Sequence, residues 1–295
     1  MHLAFSKYHG LGNDFLVVDR RGEDLLSEEA VRRLCDRRRG VGGDGVLSVQ
    51  APRAAGATLR MRVQNSDGSM AQTCGNGIRC FALHATRTFP ELAGAQELRV
   101  ETDAGVVLVE IAPSALGEAM VRVNMGPATL APPSLPVAGA LAEAGQLVRA
   151  PLELEGRALS FTGVSMGNPH AVLFEGPEPA EASALGPALN RHPAFPEGVN
   201  VGFAQVREGR IELTVWERGA GLTLACGTGA CAAAVAGVLE GRVPAGEEIE
   251  VRLPGGALFV EARPDLGAVW MRGPAAHVYD GGVAIEALLA REVTL

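Results

Sequence analysis

Four short motifs recur in the same order in the two halves of the chain, and any fold for this sequence must accommodate that repetition. Gly12-Asn13, followed by the apolar run Phe15–Val18, returns as Gly167-Asn168 followed by Ala171–Phe174. Cys74-Gly75-Asn76-Gly77 returns as Cys226-Gly227-Thr228-Gly229. Glu97-Leu98-Arg99-Val100, with Gly105 and Val109-Glu110 after it, returns as Glu248-Ile249-Glu250-Val251, with Gly256 and Val260-Glu261. Gly126-Pro127-Ala128 returns as Gly273-Pro274-Ala275. The separations are 155, 152, 151 and 147 positions. One match means little in a chain with 38 glycines; four in register argue for internal duplication. At 295 residues, each half is long enough to bury its own core.

Both halves read mainly as short strands. The candidates are Phe15–Asp19, Leu59–Val63, Leu98–Thr102, Val106–Ile111, Val121–Met125, Ile211–Val215, Ile249–Leu253 and Leu258–Ala262. After the second cysteine motif, Ala230–Leu239 is apolar all the way round, so a helix there must be buried on every side. Its counterpart Ile78–Ala85 is also apolar but carries Arg79 and His84. Strands surrounding a central helix suit both halves. Thr129–Gly139, with Pro132, Pro133 and Pro136, reads as the linker. The arginines of Val31–Arg39 read as a solvated helix face.

Composition narrows the chemistry. A net charge of −8 argues against a nucleic-acid or anionic-membrane surface, and no apolar run is long enough to span a bilayer. The first residues lack the basic region and apolar core of a secretory signal, so a reducing cytoplasm is the expected compartment. Lys7 is the only lysine; a P-loop is absent, and a pyridoxal phosphate enzyme would have to use Lys7. No CxxC pair or His/Cys cluster has zinc spacing. The expectation is an enzyme without cofactor or metal, acting on a small molecule.

The doubled Cys-Gly-x-Gly before a helix puts a sulfur at a helix N-terminus, where unmet N–H groups and the dipole favour a thiolate and a bound carboxylate. Such settings lower a thiol pKa from about 8.5 into roughly the 3.5–7.5 range. Cys35, Cys80 and Cys231 read as core cysteines. For Cys74 and Cys226 a core role and a redox pair are the alternatives; the repetition of cysteine and glycine cradle together favours chemistry. Two matched acid/base groups suit inversion of a stereocentre, with one base and one acid on opposite faces of a carbon. Arg218 suits a bidentate grip on a carboxylate, and Glu217 suits an ammonium or the tuning of a thiol. Asn13, Asn168 and Asn200 beside glycine read as turn residues or ligand contacts, and His170 as a group that orients a neighbour or caps a strand. A proline or hydroxyproline racemase, an amino-acid-binding protein and a thiol redox protein are the rival readings.

The stretches KYHGLGNDF, NSDGSMAQTCGNGIRC, GVSMGNPHAV, GVNVGF, WERGAGLTLACGTGAC and GPAAHVYDG resemble the diaminopimelate epimerases. That family sits within a wider group with proline racemases and phenazine-biosynthesis isomerases. Proline racemases have a Cys-Gly-His form where this chain has Cys74-Gly75-Asn76, and phenazine-type members lack the cysteine pair. The resemblance implies cofactor-independent interconversion of LL- and meso-2,6-diaminopimelate, in lysine and peptidoglycan precursor synthesis, by a homodimer. It implies an α+β fold of two pseudo-symmetric domains, each a mainly antiparallel β-barrel wrapped around a central α-helix. Residues 1–128 plus 276–295 would form the domain carrying Cys74, and 129–275 the domain carrying Cys226, with the active site between them. Carried over by position, Cys74 and Cys226 are the acid/base pair and Glu217 and His170 assist them. Asn13, Asn65, Asn168, Asn200, Glu217 and Arg218 contact substrate, with Gly75-Asn76 and Gly227-Thr228 as backbone cradles. Two positions depart from the pattern: Gly45 where some members carry Gln, and Leu222 where the family has Glu.

Overall fold

A helix with no polar side needs a wall on every side, and the fold supplies one twice. The computed structural model describes residues 2–72, 74–113 and 117–290. Thr73 of the first cysteine motif and residues 291–295, expected in the first domain, lie outside the described residues. The chain divides into unit 1, residues 1–123 and 273–295, and unit 2, residues 124–272.

The elements of the first stretch are β1 (His2–Gly10), β2 (Asn13–Asp19), α1 (Glu28–Cys35), β3 (Gly45–Gln50), β4 (Leu59–Asn65), β5 (Met70–Ala71), α2 (Gly75–Thr88), β6 (Glu97–Thr102), β7 (Gly105–Pro113) and β8 (Glu118–Asn124). Then follow β9 (Ala150–Leu154), β10 (Arg157–Ser165), β11 (Pro169–Leu173), α3 (Ala182–Asn190), β12 (Asn200–Arg207), β13 (Arg210–Glu217), β14 (Gly221–Leu222), α4 (Gly227–Leu239), β15 (Glu248–Leu253), β16 (Gly256–Ala262), β17 (Val269–Ala284) and α5 (Ile285–Leu289). Every strand expected from the sequence is present, and both expected helices begin at the glycine after their cysteine.

In unit 1, β1–β2 is antiparallel, β2–β3 parallel, β3–β4 and β4–β5 antiparallel, β4–β6 parallel, and β6–β7 and β7–β8 antiparallel. β17 runs antiparallel to β1 and also pairs with β8, closing eight strands into a barrel. Unit 2 repeats the sequence of pairings: β10–β11 antiparallel, β11–β12 parallel, β12–β13 and β13–β14 antiparallel, β13–β15 parallel, and β15–β16 and β16–β17 antiparallel. Each parallel pair needs a crossover. α2 is the crossover between β4 and β6, and α4 that between β13 and β15.

Those two crossover helices fill the barrels. α2 is buried continuously from Gly75 to Ala85 and packs on β1, β2, β3, β4 and β7. α4 packs on β10, β11, β12, β13, β15 and β16, with Ala230, Cys231, Ala232, Ala233 and Ala236 entirely buried. Alanine dominates α4, whereas the enclosed α2 also carries Ile78, Arg79, Phe81 and Leu83. Outside the barrel of unit 1, α1 and α5 cover Leu3, Phe5, Leu16, Val18 and Val46. Strands covered on both faces explain why Phe15–Val18 is an unbroken apolar run and not an alternating one.

Two local readings differ from the structure. The proline-rich stretch expected as a linker belongs to unit 2: Thr129 bridges Ser165 on β10, and Leu135 is buried in the core with Phe161 and Phe203. The chain passes between units within strands, and the proline segment caps a core. The arginine-rich stretch is helical only to Cys35, where Asp36 ends the helix. Arg37 beyond it reaches back to Asp14 and Asp44. Among the described residues no helix is long and apolar enough to cross a membrane.

Ala233 has no exposed surface, so Ala233→Leu should lower unfolding free energy by about 1–3 kcal/mol through overpacking. Urea denaturation followed by far-UV circular dichroism measures this; an unchanged midpoint would mean that α4 has slack around it.

Candidate active site

Each cysteine caps its helix with sulfur. The Gly77 N–H donates to Cys74 Sγ at 3.3 Å, and the Gly229 N–H donates to Cys226 Sγ at 3.3 Å. Both cysteines have extended backbone, as N-cap residues do. The glycine three positions on sits in a tight space. A Cβ at Gly229 would lie 3.1 Å from Cys226 Sγ and 3.0 Å from Val215 Cγ2; one at Gly77 would lie 3.3 Å from Cys74 Sγ and 3.1 Å from Leu47 Cδ2.

Around Cys226, unit 2 brings together most of the residues singled out in the sequence. His170 lies opposite Asn200 on the parallel β11–β12 pair. Its Nε2 is 3.0 Å from Asn168 Oδ1, and the Asn168 amide donates to Thr228 Oγ1 at 3.3 Å. Thr228 Oγ1 stands 3.6 Å from Cys226 Sγ. The carbonyl oxygen of Asn168 only accepts, so the His170 hydrogen is on Nε2. The Thr228 oxygen accepts from Asn168, which leaves its own hydrogen for the sulfur. Asn200 donates to the Pro169 carbonyl at 2.9 Å and accepts the Arg218 backbone N–H at 2.9 Å. The exposed Arg218 guanidinium donates to the Glu197 carbonyl at 3.1 Å. Glu217 accepts from the Thr223 hydroxyl.

The electrostatics differ from the simple helix-terminus expectation. The Cys226 thiol is pushed well above its ordinary pKa, first by burial and then by the Glu217 carboxylate. The Thr228 hydroxyl and Gly229 N–H pull it down without prevailing. A helix dipole lowers a thiol pKa where water still reaches the sulfur; Cys226 is only 4% exposed. Cys74 is partly exposed. His170 is lowered to about 3 by burial and by the Arg218 charge, so it is neutral in the folded protein.

In unit 1, the amide of Asn76 donates to Asn13 Oδ1 at 3.2 Å, matching the Asn168–Thr228 contact of unit 2. Asn13 in turn donates to Asp44 Oδ2 at 2.7 Å. Asn65, at the exposed end of β4, bonds Ser69 within its own hairpin, with Nδ2 donating to Oγ at 3.0 Å. Gly45 pairs with Phe15 as Asn200 pairs with His170, so it is the counterpart of Asn200. A Cβ there would lie 2.6 Å from the Gln64 carbonyl oxygen, which leaves no room for Gln on this backbone. Lys7 is engaged by Asp14 at 2.5 Å and by the Gly42 carbonyl. Cys35, Cys80 and Cys231 are buried, as expected of core cysteines. Among the described residues no group of His, Cys, Asp or Glu is placed to hold a metal ion.

Sequence reasoning missed the groups that hold the site residues: Asp44 behind Asn13, Thr223 on Glu217, and Arg79 on Asn76, with Nη2 to Oδ1 at 2.8 Å. The only signal for Arg79 was a charge in an otherwise apolar helix.

The pattern of the family described as diaminopimelate epimerase matches residues 5–131 and 162–278. The chain belongs to the diaminopimelate epimerase family. It is 47% identical over 283 residues to the diaminopimelate epimerase of Desulforudis audaxviator, covering 95% of this chain and 98% of that one. It is 44% identical over 294 residues to that of Synechococcus elongatus, covering 97% and 100%. A hydroxyproline epimerase from Agrobacterium vitis, solved with trans-4-hydroxy-L-proline, shares the fold with a TM-score of 0.67 at 17% identity, over 96% of this chain and 91% of that chain.

Two measurements test the geometry. Gly229→Ala should lift the sulfur from its N–H donor and reduce turnover, with a smaller effect on unfolding; full turnover would show that the cap is dispensable. The second concerns acid. His170 at about 3 and His84 at about 4, both lowered mainly by burial, are neutral when folded and titrate near 6.5 when unfolded. The unfolded chain therefore binds more protons below pH 6.5, so each histidine's contribution is complete above that pH and is lost on acidification. Between pH 7 and pH 5 each should remove about 2 kcal/mol of stability. His170→Gln should remove one of these shares from the pH dependence of urea denaturation, and an unchanged slope would contradict the assignment.

Proposed function

We propose that the protein is a cofactor-independent isomerase interconverting LL- and meso-2,6-diaminopimelate by proton transfer at the α carbon. Family membership carries the substrate, and the sulfur-capped helix in each half carries the chemistry. One cysteine as thiolate takes the α proton from one face, and the other as thiol returns a proton to the opposite face. The carbon–hydrogen bond electrons reside on the substrate in between, and nothing is oxidised or reduced. The reverse reaction exchanges the roles.

An amino-acid α proton is only weakly acidic, so the developing charge needs stabilisation. The first-turn N–H groups of α2 and α4, at Gly75-Asn76 and Gly227-Thr228, suit the reacting carboxylate. Arg218 suits the distant carboxylate, with Asn13, Asn65, Asn168 and Asn200 as further polar contacts. Glu217 and Thr228 act on Cys226: the carboxylate favours the thiol, and the hydroxyl steadies the thiolate. Buried and neutral, His170 acts through Asn168 by fixing the direction of its amide, and so the donor that reaches Thr228. The reading includes a cytoplasmic homodimer, supported by the sequence resemblance.

The test is incubation of reduced protein with LL-diaminopimelate in heavy water, following loss of the α-hydrogen signal and formation of the meso isomer. Both should occur without added cofactor, and Cys74→Ala and Cys226→Ala should each lower the rate by about 10²–10⁴-fold or more. Near-normal turnover in either variant, or exchange on proline in place of diaminopimelate, would overturn the reading.

A further inference from the structure

Arg79 has no cationic counterpart in the second half: 152 positions on stands Cys231, in the wall-to-wall apolar α4. The guanidinium has no exposed surface. Burying one is expensive and needs every donor directed. Nη1 donates to the Gly75 carbonyl at 3.2 Å, Nη2 to Asn76 Oδ1 at 2.8 Å and Nε to the Pro274 carbonyl at 3.2 Å. Asn76 is thus held at both ends of its amide, since its nitrogen donates to Asn13. Asn13 is held by Asp44, and Asp44 accepts from Arg37 at 2.8 Å. The space is prepared as well: a Cβ on Gly10 of β1 would lie 2.9 Å from Arg79 Nη2.

Building on the proposed epimerase activity, we infer that Arg79 is the positioning residue of the Cys74 half-site: it fixes the Gly75-Asn76 cradle and sets a buried positive charge behind the helix N-terminus that receives the reacting carboxylate. Its fork reaches a backbone carbonyl and a side-chain amide of the first turn together, which a single ammonium group cannot reproduce. The charge counts most when negative charge grows on the substrate, so its effect falls on turnover more than on binding. The two half-sites are electrostatically unequal in consequence, with a buried cation behind Cys74 and the Glu217 carboxylate beside Cys226.

The test compares Arg79→Lys, Arg79→Met and Gly10→Ala in the full-length reduced protein. Gly10→Ala keeps the charge and displaces the guanidinium, so it carries the test if Arg79→Met fails to fold. In folded variants kcat should fall about 10- to 100-fold, short of the cost of deleting a direct oxyanion donor, with KM little changed and Arg79→Lys the mildest. Iodoacetamide labelling read by peptide mass spectrometry should slow at Cys74 and not at Cys226. Wild-type kcat and Cys74 labelling in folded Arg79→Lys and Gly10→Ala would overturn the inference. A wild type that leaves diaminopimelate unchanged would instead overturn the activity, and the labelling of Cys74 would still decide the role of Arg79.

Discussion

The first turn of a helix brings N–H groups with no partner inside the helix, and burying much of that turn among strands limits the water that could meet them. Sulfur resolves part of this in both halves, accepting from the third residue of the helix at 3.3 Å. Much else follows from that one contact. A side chain at the third residue would press on the sulfur and on the strand behind it, so glycine fits that position best. The helix that follows is enclosed by strands, so even the buried charged side chain of α2, Arg79, has to find its hydrogen bonds inside. The first-turn N–H groups and the sulfur that caps the third of them share one helix start, the setting proposed above for the reacting carboxylate. Structural necessity and chemical opportunity share the same few atoms.

From that common frame the two copies have diverged in side chains and in part of their pairing, since β17 pairs with β1 in unit 1 and β9 with β10 in unit 2. The seven pairings from β1 to β8 recur from β10 to β17, yet Asn76 corresponds to Thr228, Arg79 to Cys231, Asn65 to Glu217, and Gly45 to Asn200 across the repeat. Each exchange alters local charge or hydrogen bonding. Thr228 places a hydroxyl 3.6 Å from its sulfur, Glu217 raises the thiol beside it, and Arg79 puts a cation where unit 2 has a thiol. A symmetric scaffold with unsymmetric chemistry suits a reaction whose two directions start from different isomers.

The repetition, the strands, both enclosed helices and the sulfur at each helix start were legible because they rest on spacing and on local rules. What the sequence concealed depends on distant partners. Nothing near Arg79 in the chain announces Gly10 or Pro274, which supply its slot and its acceptor from β1 and β17. Arg37 is solvated as read, but its bonds to Asp14, 23 positions away, left no mark in the sequence. The helix-start rule gave the wrong direction for Cys226, since burial and a carboxylate nine positions earlier outweigh the dipole. The proline-rich segment looked like a linker because composition records how a segment bends and not what Leu135 packs against.

The course of the chain through its last long strand has a consequence for synthesis. Unit 1 is made of two pieces, and β1 pairs with β17 from Ala276 to Ala284, on the far side of unit 2 in the sequence. Its barrel therefore stays open until β17 has been synthesised, while the complete set of residues for unit 2 ends earlier, at Arg272. Order of translation and order of completion are reversed, and the half that begins first is exposed longest with an unfilled strand edge. That edge is the natural place for a chaperone, or for aggregation, to act on the nascent chain.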